Sequence, residues 1–206
     1  MKLIAITKPY FYEGEAAVIR RLLESGFDFI QLRKPCTDVA CRNECKDVAC
    51  RNECKDVACR VHIKIRNLLN ELSSEERNKI IIHDYHELYE EYSLRGIHIN
   101  KNVTHLPKGY QGFKTRSCHS LEEVKLYKDD FDYVFLSPIF DSISKQGYKS
   151  AFSEEMLRTA SREGIIDEKV VALGGVTYDR ISLLKDLGFG GAAMMGGAFI
   201  SLKLKV

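Results

Sequence analysis

Short apolar runs recur along the whole chain, and amphipathic stretches lie between them. Residues 3–7 read LIAIT, 27–32 FDFIQL, 79–82 KIII, 96–99 GIHI, 112–116 GFKTR, 133–136 YVFL, 169–173 KVVAL and 192–195 AAMM. Runs this short, several of them rich in β-branched and aromatic residues, predict buried strands. Apolar residues then return at helical spacing: Ala17, Val18, Leu22 and Leu23 before Gly26, and Val61, Ile65, Leu68, Leu69 and Leu72 in a long second helix. Further helices are expected over 86–94, over LEEVKLY after Ser120 with Glu123 at capping-box spacing, and over 153–161 and 178–187. The connection after the fourth strand, through Pro107 and Gly109, is short and weak.

Eight strands alternating with helices predict a parallel α/β fold, and their number favours a single closed (β/α)8 TIM-type barrel spanning 1–206. After Phe199 only ISLKLKV follows, so the last helix is expected to be truncated or missing. That leaves a flank for a second copy of the chain to cover, as a homodimer.

Composition adds exclusions. The chain has 206 residues, 45% of them hydrophobic, with 31 Lys and Arg against 29 Asp and Glu for a formal net charge of +2. So small a charge gives no field for nucleic acid or an anionic membrane, and any anion must be bound locally. No apolar stretch approaches the ~18 residues of a membrane span, and residues 1–7 do not read as a signal peptide, so a cytoplasmic protein is expected. Of the seven cysteines, all but Cys118 crowd one segment, where DVACRNECK at 38–46 repeats at 47–55 and begins again at 56–60. The C-x3-C spacing lacks the C-x2-C pairs of structural zinc sites, and identical copies fit an in-frame duplication better than a ligand array. Eighteen residues make about five helical turns and about 27 Å of helix, so the insertion keeps register but extends the second helix region beyond what a barrel needs.

Candidate chemistry lies at the strand ends. VVALGGV at 170–176 and GFGGAAMMGGAF at 188–199 deliver glycine pairs after the last two strands, the usual phosphate cradle of this fold. The cradle residues are Gly174, Gly175, Met195 and Gly196, with the side chains of Met194 and Met195 read as core. The other strand ends supply Thr7, Gln31 with Arg33 and Lys34, His83 with Asp84, His98, Ser117 with His119, and Ser137; the loop after the sixth strand adds Ser142, Ser144 and Lys145. Hydroxyls and cations so placed suit phosphate or pyrophosphate oxygens. Structural readings stand beside these: strand-end histidines such as His83 and His98 are commonly hydrogen-bonded framework, glycine pairs can serve tight turns alone, and strand alternation turns the Cys118 thiol away from its neighbours.

QLRK at 31–34, the Asp84 strand end, SCHSLEE at 117–123, DYVFLSPIFDSISK at 132–145, VALGGV and the final glycine segment resemble thiamine-phosphate synthase and its relative, the TenI-like thiazole tautomerase. The synthase resemblance implies transfer of hydroxymethylpyrimidine from its diphosphate to thiazole phosphate, giving thiamine phosphate and pyrophosphate. It implies Gln31, Arg33, Lys34, Ser142, Ser144 and Lys145 around the diphosphate, Asp84 on Mg2+, the glycine turns on the thiazole phosphate, and Ser117 near the reacting groups. The departures bear on the metal side. The family's Q-L-R-x-K is here QLRKP, its Asn-Asp pair is His83-Asp84, and its H-L-G-Q-x-D is HINKNV, so Val103 stands for the second carboxylate with only Asn102 nearby. RSCHSLEE resembles the tautomerase branch, in which a histidine at the His119 position moves a proton. The residues thus leave open a synthase, a tautomerase acting on a thiazole carboxylate phosphate, or a phosphate-binding barrel without catalysis.

Overall fold

Strands β1 (Lys2–Ile6), β2 (Phe29–Leu32), β3 (Ile80–Ile82), β4 (Gly96–Ile99), β5 (Phe113–Cys118), β6 (Tyr133–Leu136), β7 (Val170–Leu173) and β8 (Gly191–Met194) pair in sequence order and close on themselves, every neighbour parallel. The structure, a computed structural model, describes residues 1–35, 58–100, 106–141 and 150–201. Closure leaves no free sheet edge, so strand residues alternate between two dry environments. Ile30, Leu32, Ile80, Ile82, Ile97, Val134, Leu136, Val170, Ala172 and Ala192 face the helices, whereas Ile4, Ile6, Ile81, Tyr133, Phe135 and Val171 fill the barrel. This double burial is why the strands read as continuous apolar runs.

The helices are α1 (Glu15–Glu24), α2 (Ala58–Asn70), α3 (Ser74–Arg77), α4 (Leu88–Tyr92), α5 (Leu121–Tyr127), α6 (Glu154–Arg162), α7 (Ile181–Asp186) and α8 (Gly196–Ser201), with 3-10 turns at Lys128–Asp130 and Tyr178–Arg180. In α1 the core stripe is Ala16, Ile19 and Leu22, with Val18 and Leu23 half-buried and Ala17 exposed. The expected stripe was therefore rotated, because Ile19 was left out of it. In and just after α2 the expected residues Ile65, Leu68, Leu69 and Leu72 are buried, with Val61 half-buried against them. The short α3 was not expected, although Ser73 and Glu76 form a reciprocal capping box that its sequence spells out. The last helix is present, described over Gly196–Ser201, and residues 202–206 lie outside the described residues. The Cys-rich repeat up to residue 57 lies outside the described residues. No described helix is long and apolar enough to cross a membrane.

Among the strand ends that differ from expectation, two bear on the site. β5 runs on to Cys118 because Ser117 and Cys118 pair with Phe135 and Leu136. β8 stops at Met194, so Met194 is core, while Met195 starts the turn into α8 and is 36% exposed. Its side chain is not core.

Gly96 shows how close the strands pack. A Cβ there would lie 2.0 Å from the carbonyl oxygen of Phe113, its partner in the ladder. The obstacle is backbone, so rotamer changes cannot relieve it. Gly96→Ala is expected to lower unfolding stability by about 3 kcal/mol or more, measured by urea denaturation; a loss under about 1 kcal/mol would show that the β4–β5 ladder gives way.

Candidate active site

Toward the strands' C-terminal ends the barrel interior changes from hydrocarbon to polar. Gln31 on β2 is fully buried, and both ends of its amide are engaged. His83 Nε2 lies 2.6 Å from Gln31 Oε1, and Gln31 Nε2 donates to the Tyr133 hydroxyl at 2.6 Å and to Thr115 Oγ1 at 3.3 Å. His98 continues the network, with Nδ1 2.8 Å from Thr115 Oγ1 and Nε2 2.9 Å from Ser117 Oγ. The His83 and His98 rings stack at 4.1 Å. Such a layer is stable only when every polar atom has a partner, since an unmet one costs about 1–3 kcal/mol. Gln31 is therefore a support beneath the mouth, and neither end of its amide is left for a diphosphate.

Arg33 and Asp84 sit above this layer, both half-buried. Thr7 Oγ1 accepts the Arg33 N–H at 3.0 Å, which pins the chain where it leaves β2. Burial raises the Asp84 carboxyl above its ordinary range, and the Arg33 guanidinium pulls it back. Among the described residues the Asp84 carboxylate makes no side-chain hydrogen bond, so its chemistry would suit a cation. That fits Mg2+, which is commonly bound through one or two carboxylates together with substrate phosphate oxygens. Among the described residues no group of three metal-ligating side chains is assembled, and Asn102 and Val103 lie outside those residues.

Lys34, expected on the diphosphate, is turned away from it. It lies two residues past the end of β2 and is 1% exposed. Its ammonium donates at 2.8 Å to the Lys8 and Tyr10 carbonyls and at 2.5 Å to Glu15 Oε1, beneath the Phe11 ring. Three donors meet three acceptors, so none is left for a ligand. The pair ties the end of β2 to the β1–α1 loop and to the first turn of α1. Burial pushes Lys34 down and Glu15 up from their ordinary values, and their mutual attraction opposes both shifts. Sequence reasoning missed Glu15; the signal was a lysine set one residue after Arg33.

Ser117 is half-buried and His119 exposed at the end of β5. His119 Nδ1 lies 3.1 Å from the Ser137 carbonyl oxygen and 3.3 Å from its Oγ, so Ser137 orients the ring. The capping box expected at α5 is modified: Ser120 Oγ accepts from Glu123 N–H, but the Glu123 carboxylate accepts from His119 N–H. Cys118 faces the helices, fully buried, with its thiol pushed up to about 12 chiefly by burial. It is no nucleophile.

Gly174 and Gly175 follow β7 with φ of 95° and 62°, a left-handed pair. A Cβ on Gly174 would meet Pro138 at 2.8 Å, and one on Gly175 the Asp141 carbonyl oxygen at 2.3 Å. The turn is pressed against the chain leaving β6, with backbone as its surface. Gly196 and Met195 stand exposed at the end of β8. Two cations absent from the sequence reading border this side: Lys8, 5.6 Å from the Phe199 ring, and Arg180, 4.2 Å from the Phe140 ring. Ser142, Ser144 and Lys145 lie outside the described residues.

Two measurements test this geometry. Lys34→Met leaves the Glu15 carboxylate unpaired in a dry site and should cost about 3–5 kcal/mol of stability. Glu15→Leu with Lys34→Met should recover most of it, and a double variant as unstable as the single would overturn the pairing. The second concerns His98, whose pKa is pushed down to about 3 by burial first, then by His86, Arg116 and Arg33. Between that value and the unfolded value of 6.5 the unfolded chain binds more protons. Stability is thus complete above 6.5 and falls with pH, by about 2 kcal/mol at pH 5 from this group. His98→Gln cannot titrate and should show a flatter Tm profile between pH 7 and 5; an unchanged slope would assign the acid sensitivity elsewhere.

A family model described as thiamine monophosphate synthase (TMP-TENI) matches residues 3–198. A thiamine-phosphate synthase of Limosilactobacillus reuteri is 29% identical over 133 residues, 61% of this chain, and the matched stretch spans 60% of that enzyme's own length. The crystal structure of a thiamine phosphate pyrophosphorylase from Bacteroides thetaiotaomicron is 37% identical, with 96% of this chain and 84% of that one covered at a TM-score of 0.74. A thiamine phosphate pyrophosphorylase from Pyrococcus furiosus, 21% identical at a TM-score of 0.61 over 95% of this chain and 85% of that one, shares the fold. The family match runs from the first strand through the last glycine turn of a closed eight-stranded barrel, and the chain therefore belongs to the thiamine monophosphate synthase family.

Proposed function

We propose that this protein is a transferase of thiamine biosynthesis, joining the hydroxymethylpyrimidine group of a diphosphate ester to thiazole phosphate. The carbon–oxygen bond of the ester breaks, and its electron pair leaves with pyrophosphate. The thiazole nitrogen supplies the pair for the new carbon–nitrogen bond, which gives thiamine phosphate. The observation that supports this reading is that the barrel mouth offers two separate places for an anion. One is the Gly174–Gly175 turn, which has no room for a Cβ; the other is Arg33 beside Asp84.

In this reading the backbone of Gly174, Gly175, Met195 and Gly196 receives the phosphate of the thiazole. Arg33 grips the diphosphate, joined by Ser142, Ser144 and Lys145 on the strength of the family resemblance. A guanidinium offers paired donors that strengthen as charge gathers on the departing oxygen. Asp84 would hold Mg2+, which when bound neutralises pyrophosphate charge. Gln31 acts from below, fixing His83 next to Asp84, and Lys34 braces the loop before α1. Ser117 presents its hydroxyl to the reacting groups.

Purified protein supplied with the pyrimidine diphosphate, thiazole phosphate and Mg2+ should release pyrophosphate and form thiamine phosphate, and EDTA should stop it. Arg33→Ala should lower kcat/KM for the diphosphate about 10- to 100-fold, the value of a charge-assisted hydrogen bond. Absence of product at saturating substrate would overturn the transferase. EDTA-resistant conversion of a thiazole carboxylate phosphate, lost in His119→Ala, would replace it by the tautomerase.

A further inference from the structure

Tyr85, the residue after Asp84, has a left-handed backbone with φ of 58°. Among the described residues one other non-glycine, Ser93 with φ of 50°, shares that region. Ser93 is the C-cap of α4, where such a conformation is an ordinary way to end a helix. Tyr85 ends no helix, and a bulky side chain in this region crowds its own carbonyl. The conformation persists only where the surroundings hold it, and residues held in this way cluster at active sites and ligand clamps.

The chain is pinned on both sides of this position. Before it, the His83 N–H donates to the Leu32 carbonyl at 3.1 Å, the His83 ring meets Gln31, and the His83 carbonyl lies 3.2 Å from His86 Nε2. After it, the Leu88 and Tyr89 N–H groups donate to the Tyr85 and His86 carbonyls at 3.0 and 3.1 Å, which starts α4. The reversal from β3 into α4 therefore falls on Asp84 and Tyr85. The Tyr85 ring packs against the hydrophobic core and lies 5.4 Å from the His62 ring on α2. These contacts offset the backbone cost. Because the Asp84 carboxylate makes no side-chain hydrogen bond among the described residues, its direction is set by the peptide groups on either side of it.

We propose that Tyr85 is a positioning residue for Asp84: its left-handed backbone, held by the packing of its ring on His62, aims the Asp84 carboxylate at a divalent cation in the barrel mouth. This rests on the transferase reading, in which Asp84 holds Mg2+. Relaxation of Tyr85 to the right-handed region would rotate the peptide that joins it to Asp84 and swing the carboxylate off line. Mg2+ demands near-ideal octahedral geometry, so a carboxylate directed before the ion arrives loses less freedom on binding.

The experiment compares two variants that both lose the ring. Mn2+ binding in the presence of inorganic pyrophosphate is read from the paramagnetic resonance signal of the free ion. It should weaken about 5- to 30-fold in Tyr85→Ala, whose Cβ still opposes a left-handed backbone. Tyr85→Gly adopts that backbone freely and should stay within about threefold of wild type. A ring needed for packing alone predicts equal losses in the two variants, and that result overturns the proposal. His62→Ala, a second route to the same backbone, should weaken Mn2+ binding beside Tyr85 and add nothing to Tyr85→Gly. Equal effects in both backgrounds overturn it as well. One-bond Cα–Hα couplings should give residue 85 a positive φ in wild type and a negative φ in Tyr85→Ala; a negative φ in wild type overturns the proposal without reference to metal. A wild-type protein that takes up no Mn2+, or takes it up no better than Asp84→Ala, overturns the cation half of the transferase reading and this proposal with it.

Discussion

The amide of Gln31 binds the polar end of the barrel together. One side chain on β2 reaches His83 just past β3, Thr115 on β5 and Tyr133 on β6, contacts separated by 52, 84 and 102 residues in the chain. A closed barrel forces alternate strand residues into a space without water, and a polar residue there must find its partners among the opposite strands. Gln31 does so with its oxygen and both amide hydrogens. An amide is suited to the place because it accepts at one end and donates at the other, so it sets the direction of the bonds on either side of it. The mouth inherits that order: Asp84 follows His83, and Ser117 stands on His98.

The partners found just past β2 decide which cations reach the mouth. Arg33 and Lys34 follow β2 directly, and their side chains part there. Arg33 stays at the rim, where its field reaches Asp84, His83 and His98. Lys34 goes to the other side and is consumed by two carbonyls and Glu15. A buried ion pair adds little net stability compared with an apolar pair of the same shape, because desolvation offsets the attraction. Its consequence here is positional: three hydrogen bonds from one ammonium hold the loop that leaves β1 against the end of β2. The cation expected for a ligand has become part of the frame around the ligand site.

The fold was legible because its signals are local. Runs such as YVFL and KVVAL declare strands buried on both faces, and Ser153 declares the start of α6 by accepting the Met156 N–H. The strand-end rule then names the mouth residues without knowledge of distance. What could not be read is which partner each buried polar group finds. Nothing near Gln31 in sequence announces Tyr133, and LRK does not announce Glu15, because these pairings depend on register around the barrel. Met195 shows the smaller version of the same limit. One residue decides whether a methionine ends β8 inside the core or opens the turn outside it, and AAMM contains no mark at that boundary.

The two halves of the mouth are built from different materials, and this separates their physical sensitivities. The Gly174–Gly175 turn is shaped by backbone packed on backbone, with Pro138 and Asp141 filling the space any side chain would need. Its donors are peptide groups, which do not titrate and have no rotamers to lose. The opposite half consists of a guanidinium, a carboxylate raised by burial, and a serine resting on a buried imidazole. Each of those depends on proton position or on a neighbour's charge. In the proposed reaction a change of pH or of a single side chain would act on the side where charge moves during transfer and leave the glycine turn as it was. In such an arrangement one substrate can be held by fixed geometry while the other is activated by electrostatics, so affinity for the first and rate with the second are set by separate residues.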